Sequence, residues 1–312
     1  MKIYKNHCIN NVVIIDGIAR SRKFFLGKLI SGINNLEYFI SNSELERILI
    51  NYKFGLLTQH NTEALFVIAI NELIYNRSIG RNVNMKCGDG SSVMNSFESD
   101  LYINRQNSAD SGDHVIKQLN SKNRSSVFIL HQSLGVIDVI NESIPSVKMI
   151  NIQRDPLDLA YSWMKRGWGF RCGADPLSFD QVCDYKGSPV PDFAINWADE
   201  YLESNEYDRV VKSIVNLTKE ENNILNDESN DICSIYYDNL LHRPEDEMYK
   251  IYNFIDHTPS EKMNEIIKRE VRNNSTVGQE EKIQYLNSGI EDRPYLEKLL
   301  ELSNNYKHKL SN

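Results

Sequence analysis

The 312-residue sequence contains no apolar run long enough to cross a bilayer; the longest clean one, Ala64–Ile70, is far short of the ~20 residues that a spanning helix needs. It also lacks any CxxC pair and any zinc-type Cys/His spacing. Cys8, Cys87, Cys172, Cys183 and Cys233 form an odd set, which points to free thiols in a reducing compartment rather than a disulfide framework. The opening MKIYKNHCINNVVIID has no signal-type apolar segment or cleavage site and runs straight into a strand-like stretch, so a cytoplasmic location is expected. Positive charge is in deficit: 35 Lys and Arg stand against 43 Asp and Glu, a net −8, which argues against a general nucleic-acid binder. That balance leaves room for a small anion held in a locally basic pocket.

What is present is the composition of an ordinary globular chain, 41% apolar and 25% charged, long enough to bury a core without disulfide or metal staples. Val12–Asp16, Val127–His131, Val147–Gln153 and Ile232–Tyr236 read as buried parallel strands, each leading into a helical pattern. Helices are predicted at 23–32, 43–53, 62–76, 113–120, 134–141, 156–165, 192–203, 208–225, 244–255, 260–271 and 293–309. The alternation predicts an α/β fold, a central parallel sheet flanked by helices. The stretch between the first two strands is too long for one crossover and predicts a helical insertion at about residues 40–122. Residues 167–192, rich in Gly, Pro and aromatics, read as a lid or acceptor loop. One domain spanning 1–312 is preferred to two. The sequence carries no signal of oligomeric state.

Two segments carry chemistry. Asp16-Gly17-Ile18-Ala19-Arg20-Ser21-Arg22-Lys23 lies between a strand and a helix, where open α/β sheets place ligands. Amides of a tight loop and a helix start make a site for a phosphate-like anion, and Arg20, Arg22 and Lys23 add charge there. A basic turn with no ligand is the plainer alternative. Against the nucleoside-triphosphate pattern GxxxxGK[ST], Arg22 replaces the second Gly and Phe24 replaces the hydroxyl residue that holds Mg²⁺. In the second segment, Arg154 ends a strand, Asp155 is a natural N-cap, Pro156 fits the first helical position and Asp158 the acidic place of a capping box. Arg154 and Ser162 are placed to address one anion, although a capped helix with a surface arginine explains the pattern equally well.

Taken together, these segments resemble the sulfotransferases that use 3′-phosphoadenylyl sulfate (PAPS). Arg154-Asp155-Pro156-Leu157-Asp158-Leu159-Ala160-Tyr161-Ser162 matches every fixed position of that family's R[ND]PxDxxxS motif for the 3′-phosphate. Arg20-Ser21 matches the start of the family's first loop, which cradles the 5′-phosphosulfate, but Arg22, Lys23 and Phe24 stand where Gly-Thr-Thr is usual. Tyr236-Tyr237-Asp238-Asn239-Leu240-Leu241, with Arg243-Pro244 following, is similar to the family's YEDL strand end. Asn274-Ser275-Thr276-Val277-Gly278 resembles the loop that closes over the nucleotide.

The resemblance implies a P-loop-like nucleotide-binding architecture with PAPS as co-substrate and no metal. Its implied nucleotide-binding residues are Gly17, Arg20, Ser21, Arg22, Lys23, Phe24, Arg154, Ser162, Tyr237, Ser275, Thr276 and Gly278. His131, 23 positions before Arg154, stands where cytosolic members carry a catalytic histidine. The implied reaction is in-line transfer of a sulfuryl group to a hydroxyl or amine of a small-molecule or glycan acceptor, a carbohydrate being one candidate. His131 would act as general base, with Arg20 offsetting charge on the leaving group. Lys165, Arg166, Trp168 and Arg171 lie where an acceptor or lid belongs; His60 and Lys86 are weaker candidates in the insertion. The rival readings are a P-loop-type phosphotransferase and a non-catalytic nucleotide- or glycan-binding protein. Charge sharpens the picture: residues 11–31 and 148–171 each carry a net +3, leaving −14 on the rest of the chain.

Overall fold

The computed structural model describes residues 2–3, 11–121, 124–176, 181–227, 229–272 and 278–310. Seven strands are present among them: β1 Val12–Asp16, β2 Ile40–Ser41, β3 Ser126–Ile129, β4 Lys148–Gln153, β5 Val182–Tyr185, β6 Ser188–Pro191 and β7 Ile232–Tyr236. Five form one parallel sheet in the order β2-β3-β1-β4-β7. Ile15 pairs with Ile129 on one side and Ile150 on the other, which aligns the carboxyl ends of the three central strands.

Both faces of the sheet are covered, which is why these strands are short unbroken apolar runs rather than alternating ones. Val13 and Ile15 of β1 pack with Leu26 and Leu29 of the Lys23–Ile30 helix, whereas Val12 and Ile14 face Phe66, Val67 and Ile70 of the Gln59–Ser78 helix. β4 departs from the pattern. Its buried Asn151 and Gln153 turn toward the Glu206–Leu225 helix, where Glu221 accepts from both amides at 3.0 and 3.4 Å.

The insertion is helical over Ser43–Lys53, Gln59–Ser78, Ser99–Asn107 and Asp113–Ser121, and it also contributes the edge strand β2. A buried carboxylate fastens it to the sheet. Glu37 takes a bidentate pair from Arg105 at 2.8 Å, a further bond from Arg124 at 2.8 Å and one from the Tyr102 hydroxyl at 3.0 Å. Burial opposes ionisation of Glu37, but these arginines outweigh it and hold the carboxyl down at about 2.

Several expectations are corrected. The second core strand ends at Ile129, so His131 lies on the turn after it rather than in it. Asp16 explains this early end: its buried carboxylate accepts from the amides of Ser133 and Leu134, folding the chain over the strand tip. The helix predicted at 134–141 is a 3₁₀ turn, Leu134–Val136, followed by Ile137–Ser143, and that at 192–203 is likewise a 3₁₀ segment before Ala198–Glu203. The 167–192 loop contains the antiparallel hairpin β5–β6. Its turn is Lys186-Gly187 with φ of 53° and 83°, the left-handed pair that a two-residue hairpin loop demands. Helices Ser99–Asn107 and Gln279–Asn287 were not among the predicted ones.

Candidate active site

The first loop turns tightly after β1, with the Ser21 amide donating to the Ile18 carbonyl at 3.0 Å. Gly17 is required there: at φ +150° a Cβ would lie 2.6 Å from the Ile152 carbonyl oxygen of β4. Arg20 and Arg22 both take left-handed backbone conformations, φ 74° and 81°. Arg22 does so at the position where the resembled motif has glycine, a strain of about 1 kcal/mol or more for a residue with a Cβ. Lys23 turns inward. It is 3% exposed and its Nζ donates to the Gly17 and Ile18 carbonyls at 2.6 and 3.0 Å, bracing the loop from beneath. Burial pushes its ammonium down to about 8 against the pull of Asp16, Glu46 and Glu221. The Phe24 ring packs on Phe39, centroids 5.0 Å apart, so its partly buried side chain packs against the core.

The second segment forms as its capping signals require. The Asp155 side chain accepts from the Leu157 amide at 2.9 Å, Pro156 opens the helix, and the helix runs to Lys165. Trp163 Nε1 donates to the Ala19 carbonyl at 2.8 Å, fixing this helix against the first loop. Arg154 Nη1 donates to the Arg20 carbonyl at 3.0 Å, and Arg20 Nε reaches Ser162 Oγ at 3.4 Å. Tyr237, delivered by the end of β7, lies beneath both Arg22 and Arg154, whose guanidinium carbons stand 5.4 and 5.5 Å from its ring centre. Arg20, Arg22, Arg154 and Ser162 are therefore brought together with Tyr237 at the carboxyl edge of the sheet.

This cluster is electrostatically unbalanced. Burial, then the neighbouring Arg166, Arg22 and Arg154, push the Arg20 guanidinium down to about 10. Asp158 accepts from Arg154 at 3.2 Å but is shared with the buried Lys282, whose ammonium also contacts it. Lys282, on the Gln279–Asn287 helix, escaped sequence reasoning; a lysine in an amphipathic helix carries no signal of the aspartate it meets across 124 residues. Ser21 Oγ, Arg22 Nε, Arg154 Nε and Tyr237 Oη are all buried and, among the described residues, have no hydrogen-bond partner. Unpaired buried donors beside like charges are costly, and a multiply charged anion satisfies both defects at once. Gly278 is exposed at the start of the Gln279–Asn287 helix, while Ser275 and Thr276 fall outside the described residues.

On the other side of the first loop lies a cavity of about 530 Å³ walled by Ile18, Glu46, His131, Trp163, Trp168 and Phe193 among others. His131 Nδ1 lies 2.7 Å from Glu46 Oε1, a carboxylate on the Ser43–Lys53 helix. Glu221, also on the wall, is buried; burial pushes its carboxyl up to about 7, the Asn151 amide opposing this and the Asp16 carboxylate reinforcing it. The insertion supplies residues 41–53 to this wall, and the loop and hairpin supply others between 168 and 193. Residues 60–120 contribute none, and His60 instead meets the Ile3 carbonyl at 2.8 Å while Lys86 is exposed. Trp168 stacks edge-on to Trp163 at 5.0 Å, Lys165 covers the Tyr285 ring at 4.5 Å, and Arg171 pairs with Asp175 at 2.6 Å. Among the described residues no group of three or more His, Cys, Asp and Glu is arranged to hold a metal, and no helix is long and apolar enough to cross a membrane.

A family model described as a sulfotransferase domain matches residues 56–309, so the chain belongs to the sulfotransferase family. That match begins after the first loop and includes the Arg154–Ser162 motif. The chain matches no curated protein. Among solved structures it is similar to a sulfotransferase domain from the curacin biosynthetic pathway, at 11% identity and a TM-score of 0.47 over 96% of this chain and 98% of that one. The sulfotransferase domain of the Synechococcus PCC 7002 olefin synthase gives 11% and 0.47 over 98% of each chain. A sulfotransferase from Alicyclobacillus acidocaldarius gives 13% and 0.40 over 95% of this chain and 96% of that one.

Proposed function

We propose that this sulfotransferase takes its sulfuryl group from PAPS and passes it to a hydroxyl or amine of a small molecule seated in the cavity beside His131. The observation that carries the donor assignment is the set of buried donors on Ser21, Arg22, Arg154 and Tyr237, unpartnered among the described residues and gathered within a cluster of arginines. PAPS brings an activated sulfuryl group and two phosphate groups, one at the 5′ and one at the 3′ position. Arg154 and Ser162 receive the 3′-phosphate, and Arg20, Ser21 and the loop amides receive the 5′ end. Lys23 acts from beneath, holding the loop carbonyls so that the amides face outward.

His131 takes the proton from the acceptor, and Arg20 offsets charge on the departing phosphate. The cavity walls favour an acceptor with an apolar or ring-bearing body. A carbohydrate remains within that class because Trp168 offers an aromatic face to a sugar ring. We read residues 1–312 as one sulfotransferase-like domain working in the cytoplasm, the setting that its free Cys87, Cys172, Cys183 and Cys233 suit.

Thermal-shift titration with PAP, the desulfated product nucleotide, against ATP with and without Mg²⁺ tests the donor site. Stabilisation by PAP alone supports the reading; stabilisation only by ATP and Mg²⁺ replaces it with a phosphotransferase. Incubation with labelled PAPS and an acceptor panel of phenols, aliphatic alcohols, amines and sugars tests the transfer. PAP binding with no transfer to any of them leaves a nucleotide-binding protein without catalysis.

A further inference from the structure

Glu46 is a half-buried carboxylate on the cavity wall that the sequence did not single out. Resting on the sulfotransferase reading above, we propose that it is the positioning residue for His131, forming with it a carboxylate–imidazole dyad. Its Oε1 stands 2.7 Å from Nδ1, while Lys23, whose charge it also feels, commits its Nζ to the Gly17 and Ile18 carbonyls. The carboxylate accepts, so Nδ1 carries the hydrogen and Nε2 keeps the lone pair. That tautomer is the one a proton acceptor needs, and it is the minor one in a free imidazole.

The rest of the turn is built to hold the ring there. Asp16 pins the backbone two and three residues on by accepting from Ser133 and Leu134, and Gln132 between them sits at φ 56°. The imidazole is therefore held through its main chain from β1 and through its ring from the insertion helix. When the acceptor O–H or N–H attacks, its proton passes to Nε2 and its electron pair to sulfur, while the sulfur–oxygen bond to the donor phosphate breaks. Glu46 stays ionised throughout and faces the imidazolium that forms.

The test combines ¹⁵N NMR of the His131 ring with steady-state kinetics on wild type, Glu46→Ala and the near-isosteric Glu46→Gln. In wild type Nδ1 carries the hydrogen. In Glu46→Ala the Nε2-protonated form appears and kcat falls by about 10²-fold, with the KM for PAPS held within about twofold. Glu46→Gln keeps the volume but can turn its amide N–H to Nδ1, so it too favours the Nε2-protonated ring and does not restore kcat. An unchanged ring tautomer in Glu46→Ala, or loss confined to the KM for PAPS, overturns the dyad. The two readings fail separately: a wild type that transfers no sulfuryl group while its ring responds to Glu46→Ala retains the dyad and removes the sulfotransferase assignment.

Discussion

Arg154 donates from Nη1 to the main-chain carbonyl of Arg20 at 3.0 Å, joining residues 134 apart in the sequence. This contact welds the two basic segments into one site. It also leaves Arg154 Nε buried and, among the described residues, unpartnered, with the second amino group on Asp158. A guanidinium fixed at two corners and unsatisfied at the third is pre-oriented for an anion, so little side-chain entropy remains to be lost on binding.

Arg154→Ala is expected to weaken PAP binding by roughly 10- to 100-fold, the worth of a charged hydrogen-bond pair. Isothermal titration calorimetry measures it. An affinity equal to that of wild type would remove Arg154 from the donor site.

Arg22→Gly separates backbone strain from charge. Glycine takes the left-handed conformation freely, so about 1 kcal/mol of strain is relieved and the melting temperature without ligand should not fall. PAP affinity should nonetheless drop by about tenfold, because a guanidinium beside Tyr237 is lost. A lower melting temperature would show that Arg22 is structural; unchanged affinity would show that it faces no anion.

Glu221 imposes a pH dependence of unusual sign. Its carboxyl titrates at about 7 when folded against 4.5 as its ordinary value, so between these values the folded chain holds a proton that the unfolded chain has released. Stability therefore falls as pH rises from about 4.5 to 7, by as much as ~3 kcal/mol, and the slope ends above the folded value. Urea unfolding of wild type and Glu221→Gln across this range checks it: the variant should lose most of the slope. A parallel pair of curves would sink the assignment.

Glu37 has the opposite linkage. Its carboxyl lies at about 2 when folded, so its contribution is complete above 4.5 and is lost as pH falls through that window. Glu37→Gln strands Arg105 and Arg124 without their counter-charge and is expected to cost about 3–5 kcal/mol at neutral pH. Because this network ties the insertion to the sheet, hydrogen exchange should quicken first in Ser99–Asn107. Uniform, unaltered protection would contradict it.

Much of the fold is written locally. Val12–Asp16 and Ile232–Tyr236 are strands over the ranges that their apolar runs predict, and Ser43–Lys53 and Pro156–Lys165 begin and end where capping residues and periodicity place them. Local signals of this kind act within a few residues and need no partner from elsewhere in the chain. The Arg154–Ser162 motif is legible for the same reason, since both residues share one strand–helix junction. The hairpin β5–β6 and edge strand β2 leave no legible signal, because short exposed strands have little hydrophobic pattern and take their identity from their neighbours.

The sequence by itself determined the parallel sheet, the two basic segments and the family to which they point. Only the tertiary structure decided which way each charged side chain faces. Lys23 and Arg22 are adjacent in a loop that looks uniformly basic, yet one braces the loop from within and the other lies over Tyr237. Glu46, Glu221 and Lys282 carry no local mark of function and acquire their surroundings from His131, Asn151 and Asp158, each at least 70 residues away. Secondary structure follows from short-range sterics and patterning, whereas the burial and partnership of a charge depend on which distant segments the fold brings against it.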